Sequence, residues 1–365
     1  AAIAAVIAIH VIAWAGAEGD EAESWRRTLD ALARVGVPAF VLLSGVLFGR
    51  SDAPPSRSRG IHRLLRLGAP WLVWSAVFNG LWLSTVLVQG GPLPTVWEIF
   101  SANLEGPGYL YFLLLLLQLS ALFMALPLHS VSKVRVAAAS VAVQGICVAA
   151  RFAMPDLPEP AQGLLLDHAY EQAPYWVGYF GLGMLAGAHL ERTTRFTPIR
   201  AGVAIFVAVA SGEMLLTSIA EGWNAGRLTG ANLFLHPAYV PLTVACCLTV
   251  YWLATAGVRM VPRLGRTAAQ WAHLGFGVYL VHQYVLALVG PVLQRLTVAS
   301  PYSVSAPLPA SLPALGLLYL LTVAATLPLV RLLLRFRFGR IALGEGRAPI
   351  RALAAAAGSR PNRGG

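Results

Sequence analysis

Residues 109–128 read Tyr-Leu-Tyr-Phe-Leu-Leu-Leu-Leu-Leu-Gln-Leu-Ser-Ala-Leu-Phe-Met-Ala-Leu-Pro-Leu, a run without a formal charge in which Gln118 and Ser120 are the polar interruptions besides two tyrosines. At 1.5 Å per residue, about 20 such positions make a helix that crosses a hydrocarbon layer of ~30 Å. The run is apolar on every side, so it is neither a soluble amphipathic helix nor a barrel strand, whose outward and inward residues alternate with period two. Working outward, comparable blocks lie near 1–15, 35–49, 67–88, 134–152, 174–190, 200–219, 236–255, 272–295 and 308–334. The whole chain of 365 residues is 57% hydrophobic and 12% charged, against about 25% charge in ordinary soluble domains. The reading is an all-α polytopic membrane protein with about ten transmembrane helices. The last block holds Pro313 and Pro328 and is expected to tilt or kink.

The charges between the blocks give an orientation. Loops after even-numbered blocks carry Arg50, Arg57, Arg59 and Arg63, then Lys133 and Arg135, then Arg192, Arg195 and Arg200, then Arg259, Arg263 and Arg266. Loops after odd-numbered blocks carry Glu18, Asp20, Glu21 and Glu23, then Glu98 and Glu105, then Asp156, Glu159, Asp167 and Glu171, then Glu221, and the 297–307 loop carries none. Arg26, Arg27, Arg34, Arg151 and Arg227 are exceptions. Positive loops stay inside, so the even loops and both termini are expected in the cytoplasm of a multi-pass protein of the cell membrane. The formal charge of +11 is therefore topological rather than a nucleic-acid face, since its arginines are spread through short loops and a tail. The expected organisation is a ten-helix membrane domain over 1–338 and a basic, disordered cytoplasmic tail over 339–365. The first block is short and opens at Ala1 without a Met, so residues are expected to be missing before it. A signal peptide is disfavoured, because no basic region precedes that block. Cys147, Cys246 and Cys247 all lie inside apolar blocks; they read as packing residues and show no metal-binding spacing.

Polar side chains within a bilayer are costly and mark functional positions. His10, ahead of an acidic loop, is expected in the outer half of block 1, where a neutral imidazole accepts a proton from a hydroxyl. Arg63-Leu64-Leu65-Arg66 opens block 3 at its cytoplasmic end. Spacing of three places both guanidiniums on one helix face, beside a helix N-terminus, and such a pair suits the phosphates of a cytosolic anion. Glu213, in block 7, needs a His or Arg partner or a wet cavity at that depth. His282 in block 9 is a second cavity candidate. Gln118, Gln144 and Asn79 read as hydrogen bonds between helices. The alternative for His10 and Glu213 is a structural hydrogen bond, and for the arginines an ordinary positive-inside loop.

Three ordered segments resemble the acyltransferase 3 family of integral membrane acyltransferases. The first is Ala8-Ile9-His10 followed by Gly36-Val37-Pro38-Ala39-Phe40-Val41-Leu42-Leu43-Ser44-Gly45-Val46-Leu47; the second is Arg63-Leu64-Leu65-Arg66 with Pro70-Trp71. The third is Gly275-Phe276-Gly277-Val278-Tyr279-Leu280-Val281-His282, and Tyr175 to Gly187 is similar to the family's glycine-rich sixth helix. The resemblance covers about 1–335. Two features depart from the family: its first-helix basic residue would fall before Ala1, and its His-Leu-Trp-Phe entry to block 4 is here Gly108-Tyr109-Leu110-Tyr111-Phe112-Leu113.

The resemblance implies transfer of an acyl group, acetyl being the expected one, from cytosolic acyl-CoA to a hydroxyl of a glycan, lipid-linked sugar or other glycosylated product. It implies His10 as the catalytic residue and Arg63 and Arg66 as essential basic residues, which this reading assigns to the phosphates of acyl-CoA. Glu213 is expected to assist His10. Ser44, Tyr279 and His282 are further cavity candidates. No permanently bound cofactor and no metal are expected; acyl-CoA, a carbohydrate acceptor and membrane lipids are the expected partners. An acyl-histidine intermediate stays open beside direct transfer. The rival reading is a proton-coupled transporter or flippase that relays protons through Glu213 and His10, and a third is an assembly protein without chemistry.

Overall fold

The computed structural model describes residues 2–14, 20–50, 57–99, 110–126, 130–153, 171–189, 197–220, 234–263, 265, 271–297 and 312–345. Many of the loop charges that carry the orientation, among them Glu18, Glu105, Asp156, Glu159, Asp167, Arg192, Arg195, Glu221 and Arg266, lie outside them, as does 346–365 of the expected tail.

The described residues form helices and contain no strand. Hydrocarbon offers no partner for a peptide group, and a helix pairs its own N–H and C=O groups. Each of the ten apolar blocks contains a helix. Seven are long and apolar enough to cross a membrane: Thr28–Gly49, Gly60–Val88, Lys133–Arg151, Ile199–Ser218, Tyr239–Met260, Gly275–Leu293 and Leu312–Leu333. Three are shorter, Ala2–Trp14, Tyr111–Ala125 and Val177–Ala188. In chain order the elements are α1 (Ala2–Trp14), α2 (Asp20–Ala33), α3 (Gly36–Gly49), α4 (Arg57–Val88), α5 (Tyr111–Ala125) and α6 (Lys133–Ala153). They continue with α7 (Val177–Ala188), α8 (Pro198–Ala220), α9 (Tyr239–Met260), α10 (Gly275–Thr297), α11 (Leu312–Leu333) and α12 (Arg337–Ala342). Pro313 falls in the first turn of α11, where its missing N–H has no intrahelical partner to lose, so only Pro328 sits inside that helix. Large apolar side chains such as Leu47, Phe206, Leu253 and Leu288 are about two-thirds exposed, a surface that water penalises and lipid does not.

The chain divides into two compact units: Ala1–Arg50 with Lys133–Ala169 and Pro174–Val330, and Ser51–Ser132 with Tyr170–Ala173 and Arg331–Gly365. In the first unit α3 packs on α7 and α7 on α6, α8 packs on α9, and α1 touches α2, α3 and α10. The α3–α7 contact is backbone against backbone. A Cβ at Gly45 would collide with the Phe180 carbonyl, and one at Gly183 with the Leu42 carbonyl. Only glycine permits that approach, the small-residue packing typical of membrane helices. Gln144 of α6 accepts a hydrogen bond at 2.9 Å from the Gly178 N–H, one of the N-terminal donors that α7 leaves unpaired.

Contact registers give helix directions. Ile3 meets Gly275 and Trp14 meets Gly290, so α1 and α10 run parallel. Leu42 and Val46 meet Gly183 and Gly187 in that order, so α3 and α7 are parallel too. Gln144 meets Gly178 and Ser140 meets Gly181, which makes α6 and α7 antiparallel.

In the second unit, Gly60 of α4 meets Met124 of α5 and Gly68 meets Leu117, so these two helices are antiparallel. Gln118 bridges α5 to the 171–173 segment, donating to the Glu171 carbonyl and accepting from the Ala173 N–H, each at 3.0 Å. The region expected to be a loose tail from 339 is structured as far as Glu345. Helix α12 packs on α4, and the Trp74 indole N–H donates to the Ala342 carbonyl at 2.9 Å. Gly344, at φ 69°, turns the chain out of α12, a conformation that costs glycine little.

Candidate active site

The first unit brings two of the expected residues together. α1 and α10 run side by side, and midway along them the His10 and His282 rings face each other with centroids 5.3 Å apart and planes tilted 43°. His10 is half-buried, whereas His282 is fully buried. The Nδ1 of His282 lies 3.1 Å from the Val278 carbonyl and 2.7 Å from the Tyr279 carbonyl. A carbonyl oxygen only accepts, so Nδ1 carries the hydrogen, and in the neutral ring Nε2 is then the bare lone-pair nitrogen. That Nε2 is buried without a hydrogen-bond partner. Tyr279 is buried one turn before His282, with its ring centroid 6.1 Å from the imidazole.

Two other candidates are placed differently. Ser44 is half-buried on α3, one residue from the α3–α7 glycine contact. Glu213 is exposed on α8. Ser211, Gly212 and Leu215 make the buried face of that stretch, and at 100° per residue Glu213 falls outside it. The ring beside His10 is thus His282, not the Glu213 carboxylate expected to assist it.

Sequence reading missed an ion pair on the helix that packs against α1. Arg34, at the end of α2, forms an ion pair with Asp30 at 2.7 Å, both side chains 21% exposed. The buried Tyr239 hydroxyl donates to the Ala31 carbonyl of the same helix. The signal was present as Asp30 and Arg34 at spacing four, but Arg34 had been set aside as an exception to the loop-charge rule.

The arginine pair belongs to the second unit. The Arg63 Nε donates to the Ser120 Oγ of α5 at 3.2 Å, which anchors its half-buried guanidinium. Arg66, one turn on, is more exposed and lies 3.5 Å from the Glu345 carboxylate beyond α12. Deeper along α4, Trp71, Ser75 and Asn79 follow at spacing four, are all buried, and present Nε1, Oγ and Nδ2 atoms without hydrogen-bond partners. Asn79 therefore does not make the interhelical bond expected of it, unlike Gln118 and Gln144. Cys147, Cys246 and Cys247 are free and half-buried.

The first unit thus carries a paired imidazole suited to proton transfer, and the second a paired guanidinium suited to an anion. Compared with known proteins, the chain matches a family model described as an acyltransferase domain over residues 1–331. No curated protein and no solved structure matches it.

Proposed function

The chain belongs to the acyltransferase family whose domain model spans residues 1–331, and from that membership we propose that it moves an acyl group from cytosolic acyl-CoA to a hydroxyl of a carbohydrate-bearing acceptor. That it is a membrane acyltransferase follows from the family together with the apolar helices. The donor, the acceptor and the residues are the proposal. The observation that carries it is the His10 imidazole, half-buried on α1 against His282, in the motif position that the sequence marks for proton transfer.

In this reading the phosphates of acyl-CoA are held by Arg63 and Arg66, the first anchored by Ser120 and the second accessible. Paired guanidiniums match phosphate oxygens in charge and in fork geometry. The acceptor hydroxyl gives its proton to His10 as its oxygen attacks the thioester carbonyl. The tetrahedral adduct collapses, the C–S bond breaks, and the His10 imidazolium returns the proton to the departing thiolate. Acetyl is the proposed acyl group, and the glycan or lipid-linked sugar is delivered at the cell membrane. The alternation of loop charge supports ten crossings with both termini inside. The helix directions are those that alternating crossings require. Blocks 1 and 9 run parallel, as do blocks 2 and 6, while blocks 3 and 4 and blocks 5 and 6 are antiparallel.

The test is thiol release from labelled acetyl-CoA by the purified protein, together with cell-surface glycan masses with and without the gene. His10→Ala is expected to lower the rate by about 10²–10⁴-fold while acetyl-CoA binding is kept. A variant that keeps the full rate removes His10 as the base.

A further inference from the structure

Three facts converge on His282. Its Nδ1–H is committed to the Val278 and Tyr279 carbonyls. Its Nε2 is a buried acceptor with no partner. The ring facing it is His10, at 5.3 Å between centroids. A ring nitrogen lies a little over an ångström from its ring centre, so with the His282 ring held by its Nδ1 bonds a turn of the His10 side chain can bring one of its nitrogens toward Nε2 at the range of an N–H···N hydrogen bond. A buried acceptor left without a donor is costly, which favours closing that bond. The two parallel helices hold the rings in reach from both ends, through Ile3 against Gly275 and Trp14 against Gly290.

We propose that His282 is a positioning residue: its Nε2 accepts the N–H of His10 and thereby fixes the His10 tautomer, leaving the other His10 nitrogen as the bare base for the acceptor hydroxyl. The proposal rests on the reading of His10 as the base. His282 takes the part that a buried carboxylate plays in a Ser-His-Asp triad, where the third group orients the imidazole and the wrong tautomer loses about 10⁴-fold in rate. A histidine does this without adding a negative charge to the bilayer, and its own orientation is set by the backbone of α10. No proton leaves the pair. The His10–His282 bond holds while the hydroxyl proton moves to the far nitrogen of His10, and that nitrogen later returns it to the thiolate.

Two substitutions separate orientation from packing. Asn at 282 keeps an amide N–H near the place of Nδ1, hence the bonds to the helix carbonyls, but offers no acceptor at the Nε2 position. Gln places its Oε1 close to the Nε2 position and gives up the Nδ1 bonds. With acetyl-CoA and water as the acceptor, His282→Asn is expected to lower kcat at least tenfold, His282→Gln to retain most of it, and KM for acetyl-CoA to stay unchanged in both. A purely structural role reverses the order, and Asn equal to or better than Gln overturns the proposal. Nitrogen-15 NMR of histidine-labelled wild-type protein in nanodiscs reads the pair without any variant. A protonated Nδ1 with an unprotonated Nε2 on His282, coupled across a hydrogen bond to His10, is the expected spectrum. A protonated Nε2 on His282, or no coupling to His10, overturns it. If His10→Ala keeps the full rate while that coupling is present, the reading of His10 as the base fails and the pair remains as structure only.

Discussion

The arginine pair shows how differently two identical side chains are placed one turn apart. Arg63 is half-buried and tied to Ser120, and Arg66 is exposed and shares Glu345. Arg63→Ala or Arg66→Ala is expected to weaken acetyl-CoA binding while the protein still inserts, as measured by titration calorimetry in detergent; unchanged affinity in both variants removes the phosphate role. On the proposed phosphate role, Glu345 would compete with a phosphate for Arg66. An exposed ion pair of this kind contributes about 0–1 kcal/mol, so Glu345→Gln is expected to tighten acetyl-CoA binding by no more than about fivefold. Weaker binding in that variant would mean that Glu345 organises the site rather than competing with its ligand.

Among the elements, α3 and α7 depend most directly on particular residues. Their backbones touch, so a methyl group at Gly183 meets the Leu42 carbonyl and the Gly45 Cα. Interior overpacking typically costs about 1–3 kcal/mol. Gly212 of α8 has open space where its Cβ would be, and replacing a mid-helix glycine by alanine gains about 0.5–1 kcal/mol. Gly183→Ala is therefore expected to lower the apparent Tm in a fluorescence size-exclusion assay, and Gly212→Ala to raise it or leave it unchanged. Equal effects of the two would contradict the close packing of α3 on α7.

At the scale of the whole molecule, the proposed use of cytosolic acyl-CoA depends on orientation in the membrane. The alternating arginines are the ground for proposing that orientation, and the helix directions are those that alternating crossings require. A single cysteine introduced at Ser58, at the start of α4, is expected to resist an impermeant maleimide in intact cells and to react once the cells are opened. Labelling from outside would invert the topology and with it the assignment of the arginine pair to acyl-CoA.

Block lengths, helical class and the family motifs were legible in the sequence because they rest on local composition: hydrocarbon demands continuous apolar helices, and a motif is a run of neighbours. His10 and the Arg63–Arg66 spacing could be read for the same reason. Partnerships were not legible. His10 and His282 are separated by about three quarters of the chain's 365 residues, and nothing local says that α1 and α10 lie parallel at the register that brings one imidazole to the other. Glu213 reads as the natural carboxylate for His10 by its depth in block 7, yet the rotation of α8, which buries Ser211 and Leu215, leaves it exposed. Arg34 reads as a stray charge in the sequence, and α2 pairs it with Asp30 one turn before it. Composition alone determined that this chain crosses a membrane as helices. Which of its few polar groups meet was decided by helix register and rotation, and these are set by side-chain packing between segments far apart in sequence.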